Sequence, residues 1–311
     1  MELLELRYLD EVADAGSFSK ASIRIGITQP ALSRQIAKLE QELKTQLFYR
    51  HGRGVALTPA GLKLREVARP ILNQLSELKR EIVEQSAGAV GQVSFGVPPS
   101  LGATLVAPLV RRFRAAYPNA TLRVYEAFSS TVLEWVESGR LDLAVLYDSR
   151  RSPGLIVSPL LLEDLFFIEA ADAGPEAPAT LTLDALIETP LILPGPENGL
   201  RRVIARAAER AGISLEVMLE LDSVSAITQL VESGLGKTIL PYGAVHKAVR
   251  EGRVKATPFA SESMRAKLVT ATPLSRPVSK ATQALLGLIN AEVQQCVEEG
   301  LLRGVTVQQE F

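Results

Sequence analysis

The stretch from Ser17 to Glu42, SFSKASIRIGITQPALSRQIAKLEQE, most constrains what this chain can fold into. It predicts two short helices joined by a tight turn. Ser17, or Ser19 one turn on, caps the first helix, whose inner side is expected from Phe18, Ala21, Ile23 and Ile25. Gly26 stops it, because glycine adopts the left-handed conformation that a helix end needs. Thr28 caps the second helix, and Pro30 sits in its first turn, where a missing N–H costs nothing. Leu32, Ile36 and Leu39, at i, i+4 and i+7, form one apolar stripe. The opposite side carries Gln29, Pro30, Ser33, Arg34 and Lys38. A short helix, a glycine turn and a second helix with a polar face make the pattern of a helix-turn-helix.

A plain amphipathic hairpin has the same outline, and charge separates the two. Between Ser17 and Arg65 stand nine basic residues (Lys20, Arg24, Arg34, Lys38, Lys44, Arg50, Arg53, Lys63, Arg65) and two acidic ones (Glu40, Glu42), a local balance of +7 in a chain of net charge −1. A basic island in a neutral chain is the footprint of a phosphate-binding surface.

The surroundings extend the pattern. Residues 2–15 predict a helix with Leu3, Leu6, Leu9 and Ala13 on one face, packed behind the hairpin. Thr45–Thr58 holds Gly52 and Gly54 between two apolar segments, which predicts a two-stranded wing with Arg50, His51 and Arg53 near its tip. Thr58 and Pro59 open a long helix. Its apolar residues Leu64, Val67, Ala68, Ile71, Leu75, Leu78 and Ile82 keep a heptad-like seam, with an adjustment expected at Pro70. So long a seam has no core of its own and argues for pairing with a second chain.

After the small-residue hinge Ser86–Ala89 the pattern changes to alternating strands and helices, the mark of a parallel α/β sheet. Strands are expected at 93–97, 121–125, 141–146, 160–168, 191–193, 215–221, 238–240 and 265–272, and a closing helix at 280–299. No apolar run is long enough to span a bilayer, and the acidic start MELLELRYLDEV lacks the basic region of a secretory signal. These features point to a cytoplasmic protein without a membrane partner. The single cysteine, Cys296, excludes an internal disulfide, and with two histidines a metal centre is not expected. No paired His/carboxylate constellation and no phosphate loop is present, so the chain does not read as an enzyme, and no cofactor is expected.

Gln29-Pro30-Ala31-Leu32-Ser33-Arg34-Gln35-Ile36, then Leu39-Glu40, Leu47-Phe48-Tyr49-Arg50 and Leu57-Thr58-Pro59-Ala60-Gly61, together resemble the LysR-type transcriptional regulators. Farther on, Gly139-Arg140-Leu141-Asp142-Leu143-Ala144 and Gly234-Leu235-Gly236-Lys237-Thr238-Ile239-Leu240-Pro241 match in order and spacing. The resemblance covers about residues 1–295; the tail beyond Glu298 has no reading. It implies a winged helix-turn-helix (1–58), a linker helix that makes a dimer (59–87), a hinge (88–91) and a two-lobed α/β domain like a periplasmic solute-binding protein. Lobe I is expected at 92–162 and 261–300, lobe II at 163–260. The partners it implies are a pseudo-palindromic operator in double-stranded DNA, a second chain through the linker helix, a homotetramer beyond that, and RNA polymerase.

In such a head, Arg34 pairs with guanine and Gln29 reads adenine. Pro30 and Ser33 pack close to the DNA, with Thr28 among the DNA-binding residues; Lys38, Arg53 and Thr58 serve the phosphates, and Arg50 and Arg53 on the wing reach a minor groove or phosphates. In two-lobed α/β folds a ligand lies between the lobes, where helix N-termini favour a small organic anion. Ser100, Thr131 and Ser223 match the family's effector positions, with Leu101, Ser130, Pro194 and Val224 beside them and Tyr147, Asn198 and Arg202 adding shape and charge. Capping alone also explains the serines and threonines. Within the family, residues 95–147 are most similar to nitrogen-assimilation-control-like regulators, which leaves open a regulator without an effector, set by its abundance.

Overall fold

The computed structural model describes residues 1–51, 54–87, 91–147, 152–172, 178–275 and 277–307, with side chains at all of these but 50, 73, 74 and 76–87. The chain forms two compact units that divide after residue 88.

The first unit contains α1 (Leu3–Ala15), α2 (Phe18–Ile25), α3 (Gln29–Glu42), β1 (Phe48–His51), β2 (Gly54–Leu57) and α4 (Pro59–Ala87). Ser17 and Thr28 cap α2 and α3 as their sequence positions predict, and Gly26 closes α2 in the left-handed conformation at φ 78°. Leu32, Ile36 and Leu39 are fully buried. They meet Leu9 and Val12 of α1, Phe18 and Ala21 of α2, and Leu47 and Phe48 at the wing. Two expectations need correction. Ile23 is 81% exposed. The inner arc of α2 is Phe18, Ala21, Ser22 and Ile25, and Ser22 enters it by donating to the Ser19 carbonyl at 2.9 Å. Leu3 is exposed, while Glu5, two residues on, is buried alongside Leu6, Tyr8 and Leu9.

The wing is antiparallel, pairing Phe48 with Leu57 and His51 with Gly54. It is tied to the α1–α2 turn by the Val55 N–H on the Gly16 carbonyl, 3.0 Å. Gly54 is required there, because a Cβ would lie 2.7 Å from that same carbonyl oxygen. The helix α4 runs unbroken through Pro70. Leu64 and Ala68, expected in the seam, instead turn toward the head, whereas Leu62, Val67 and Ile71 are exposed. Arg65 and Arg69 clamp α4 to Asp10 and Asp14 of α1.

The second unit begins with β3 (Gln92–Val97), α5 (Pro99–Leu101) and a π-helical turn (Gly102–Val106) leading into α6 (Ala107–Ala116). Pro108 supplies the reason for the π turn: without an N–H it cannot continue an α-helical ladder. Next come β4 (Thr121–Glu126), α7 (Ser129–Glu137), β5 (Leu143–Tyr147), β6 (Leu155–Ala170), β7 (Leu191–Leu193) and α8 (Gly199–Arg210). The chain continues through β8 (Val217–Glu220), α9 (Val224–Glu232), β9 (Thr238–Pro241), α10 (Tyr242–Arg250), β10 (Val254–Pro258), β11 (Arg265–Pro273), α11 (Lys280–Glu298) and β12 (Gly304–Thr306).

Parallel β3, β4 and β5 with antiparallel β11 build one lobe; parallel β7 and β8 belong to the other. The sixteen-residue β6 serves both. From Leu155 to Asp164 it pairs with β11, and from Leu165 to Ala170 with β9 and β10. The tail joins this strand: β12 pairs with Leu161–Glu163. Leu302, just before it, is fully buried.

Candidate DNA-reading helix and inter-lobe cleft

In the head, Thr28, Gln29, Pro30 and Arg34 are exposed along the first half of α3, and Ser33 is half-buried beside them. The buried stripe on the opposite side fixes this face outward. Arg34 Nε lies 3.4 Å from the Pro30 carbonyl, so the guanidinium is carried along the helix surface. Backbone N–H groups at the start of α3 stand next to it, which together offer donors to base edges and phosphates.

Two residues expected to serve phosphates are committed elsewhere. Lys38 Nζ pairs with Glu5 at 2.9 Å and Glu2 at 3.5 Å. The Lys38 hydrogen bond, with the Glu2 N–H, holds the Glu5 carboxyl below its usual range. Lys38 is therefore the counter-ion of a buried acid that ties α3 to α1. Thr58 is buried; its hydroxyl donates to the Gln46 carbonyl at 2.7 Å and accepts from the Gly61 N–H at 3.1 Å. It joins wing to α4 and has no free donor. Glu40 does similar work, accepting from the Leu47 and Phe48 N–H groups at 2.8 and 3.3 Å. Arg50 lies on β1, its side chain outside the described residues; Arg53 lies outside them altogether.

In the second unit the strand ends and helix starts do approach one another. Ser129, first residue of α7, accepts from the Tyr147 N–H at 3.0 Å. Gly199, first residue of α8, faces the same two residues: a Cβ there would lie 2.8 Å from the Tyr147 carbonyl oxygen and 3.3 Å from Ser129 Oγ. The lobes thus touch where α7, α8 and the end of β5 meet. Thr104 adds a second contact, donating to the Gly243 carbonyl of α10 at 2.9 Å.

The expected effector residues divide. Ser100 and Tyr147 are buried at this junction, and Ser130 and Thr131 are half-buried on the first turn of α7. Leu101 is fully buried in the apolar core and so lines nothing. Asn198 and Ser223 act as caps: Asn198 Oδ1 accepts from the Leu200 N–H at 2.9 Å, Ser223 Oγ from the Ala226 N–H at 3.3 Å. Arg202 turns back onto the Glu197 carbonyl, 2.7 Å. Pro194 is buried after β7, and Val224 is half-buried at the start of α9. The Gly195 N–H on Asp222, 3.0 Å, joins those two corners.

One residue at the junction escaped sequence reasoning. Glu163, on β6, is completely buried and accepts from the Tyr147 hydroxyl at 2.5 Å. Burial pushes its carboxyl up to about 8, against the pull of the Tyr147 hydrogen bond. Burial, and then the neighbouring Glu163, also hold the Tyr147 phenol well above its usual range. The only sequence signal was an acid inside an apolar run, LLLEDLFFI. Cys296 is buried on α11, where burial raises its thiol to about 11 and leaves it unreactive.

Residues 3–62 match the family described as bacterial regulatory helix-turn-helix protein, lysR family, and residues 86–294 match the LysR substrate binding domain. The chain is 30% identical over 295 residues to the nitrogen assimilation regulatory protein nac of Klebsiella aerogenes, covering 93% of this chain and 96% of that one. A full-length OxyR variant from Pseudomonas aeruginosa has the same fold, with a TM-score of 0.72 at 23% identity, covering 100% and 99% of the two chains. Full-length CbnR complexed with its target DNA has it too, with a TM-score of 0.65 at 22% identity over 95% and 99%.

Proposed function

This chain belongs to the LysR family of DNA-binding transcriptional regulators, and from that premise we propose how its two units divide the work. It is a regulator and not an enzyme. The head reads an operator through α3, and the second unit, an effector-binding domain by family, takes a small organic anion between its lobes.

The observation that carries the first part is the exposed row Thr28, Gln29, Pro30 and Arg34 over a fully buried stripe. With α3 in a major groove, Arg34 pairs with guanine and Gln29 with adenine, while Pro30 and Ser33 set the depth of approach. Arg50 and Arg53 serve the phosphates from the wing. Lys38 is left out of this set, because its charge already neutralises Glu5. The exposed Val67 and Ile71 of α4, one turn apart, supply an apolar patch for a second chain, giving two heads for two half-sites, and a homotetramer follows from pairing between effector domains. RNA polymerase is the further partner of the DNA-bound form. Such a regulator works in the cytoplasm; no helix among the described residues is long and apolar enough to cross a membrane.

Titrating operator and random DNA at several salt concentrations tests the reading. Arg34→Ala should weaken operator binding by about 1–3 kcal/mol and random-DNA binding much less. Equal losses on both would remove Arg34 from base reading. A regulator without an effector, set by its abundance, is the second reading. The close seating of Gly199 against Tyr147 favours it; the buried, unpartnered Oε1 of Glu163 weighs against it.

A further inference from the structure

The tail fastens the two lobes to each other at the strand they share. It lies beyond the residues that match the family's substrate binding domain, 86–294. After α11 the chain turns at Gly300, left-handed at φ 69°, and the Leu301 and Leu302 N–H groups both bond the Cys296 carbonyl, at 2.8 and 3.0 Å. This turn sends the chain back across β6. Gly304, Val305 and Thr306 pair with Glu163, Leu162 and Leu161, and the Val307 N–H reaches the Leu160 carbonyl at 3.3 Å. The pairing runs along the part of β6 that belongs to the first lobe and stops at the crossing point. There the Asp164 N–H donates to the Arg303 carbonyl at 2.9 Å, and from Leu165 onward the strand pairs with β9 and β10.

The side chains of the same residues reach the other lobe. The Arg303 guanidinium stacks on Tyr242, the first residue of α10, 5.0 Å from the ring centre. Leu302, fully buried, lies against Gly243, the next residue of α10. A Cβ on that glycine would meet Leu302 Cδ2 at 2.7 Å and the Leu301 carbonyl oxygen at 3.3 Å, so α10 comes this close only because position 243 has no side chain. The helix itself is part of the second lobe, where Val245 and Ala248 pack with Phe166, Ile168 and Leu240. Arg303 thus holds the first lobe with its backbone and the second with its side chain. The Thr104 bond to the Gly243 carbonyl lies beside this fastening.

Parting the lobes bends β6 at the crossing point and lifts α10 from the first lobe. Both motions draw Tyr242 away from Arg303 and Gly243 away from Leu302, giving up a cation over an aromatic face and uncovering a buried leucine. The strand laid along Leu161–Glu163 also stiffens the first half of the hinge up to its last residue. We propose that residues 299–307 are a strap that limits how far the lobes part, so that the tail sets how readily the cleft opens. The inference goes beyond the reading of the cleft and stands whether or not the cleft takes an effector.

Amide hydrogen exchange on the full chain tests the strap. Gly304→Val places a Cβ 2.2 Å from the Leu162 carbonyl oxygen, at a φ of 150° that side chains rarely adopt, and so lifts β12 from β6. Arg303→Ala removes the contact with Tyr242 and leaves the strand pairing in place. Three regions are read: the tail at 301–307, the Tyr147 N–H at the lobe junction, which Gly199 of the second lobe covers, and β3 in the core of the first lobe. The tail should be protected in the wild type. Gly304→Val should speed exchange of the tail and of Tyr147 by about tenfold or more and leave β3 unchanged. Arg303→Ala should speed Tyr147 in the same direction by less. A released tail with Tyr147 as slow as before would overturn the strap. So would equal acceleration of Tyr147 and β3, the mark of a general loss of stability. A tail that exchanges freely in the wild type, or stays protected in Gly304→Val, would overturn it as well. If Gly304→Val does not fold, Arg303→Ala decides alone, and an unchanged Tyr147 then refutes the proposal.

Discussion

Replacing Glu163 by glutamine should remove a large pH dependence from the stability of the ligand-free second unit. In the unfolded chain this carboxyl ionises near 4.5; in the folded protein it does so at about 8, chiefly because it is sealed from water. Between those values the native state keeps a proton that the unfolded state releases. The stability linked to this group is fully present below pH 4.5 and is lost as pH rises through about 8. That window spans roughly 3.5 pH units at about 1.4 kcal/mol each, a total loss on the order of 5 kcal/mol. Glutamine offers Tyr147 the same acceptor and has no proton to lose. The stability of the wild type relative to Glu163→Gln should therefore fall by about 1.4 kcal/mol per pH unit across the window and level off above it. Trp135, the chain's single tryptophan, reports on the right unit: it lies on α7 with Arg140 stacked 4.2 Å above its ring. Urea unfolding followed by its fluorescence, from pH 5 to about pH 8.5, gives both profiles. Parallel profiles, offset but with the same slope, would refute the reasoning.

Three further substitutions probe the framework. Thr58→Val removes both the α4 cap and the bond to Gln46 and should cost the head about 1–2 kcal/mol, read by far-ultraviolet circular dichroism on urea titration. Gly199→Ala places a Cβ 2.8 Å from the Tyr147 carbonyl oxygen, so α8 must lift from β5. A loss of about 1–3 kcal/mol in the Trp135 unfolding curve is expected, and an unchanged midpoint would show that the lobes do not meet there. Leu302→Ala, in the tail, should cost about 2–5 kcal/mol if the buried leucine belongs to the core; a change within measurement error would detach the tail from the fold.

The head was the most legible part of the chain because its signals are local. Ser17, Gly26, Thr28 and the stripe Leu32, Ile36, Leu39 each act within one or two helical turns. Ile23 misled because a two-turn helix has room for only one inner arc, and a serine able to bond its own backbone took the place. Lys38 and Thr58 misled for a different reason. A cation or hydroxyl looks the same in sequence whether it faces DNA or is held inside, and Lys38's partner Glu5 lies 33 positions away on another helix. At the cleft, the serines and threonines lie at strand-to-helix corners, as local capping signals can show, but Glu163 could not be found by a rule that keeps acids outside. The tail carried no pattern because three residues are too few to show a strand period. Its order comes from the edge of β6 that receives it.

That shared strand has a consequence for how the molecule can vary and move. Since β6 is a continuous hydrogen-bonded ribbon, opening the lobes twists a spring instead of swinging a door on a slack cord. The restoring force grows with every degree of rotation. The same continuity forbids editing its length. Deleting one residue between Glu163 and Leu165 would exchange the two buried faces for everything beyond, pulling Phe166 and Ile168 out of the core they share with Ile227 and Leu240 and pushing Phe167 into it. A strand packed into a core on each of its faces therefore has a fixed count of residues, however its composition varies.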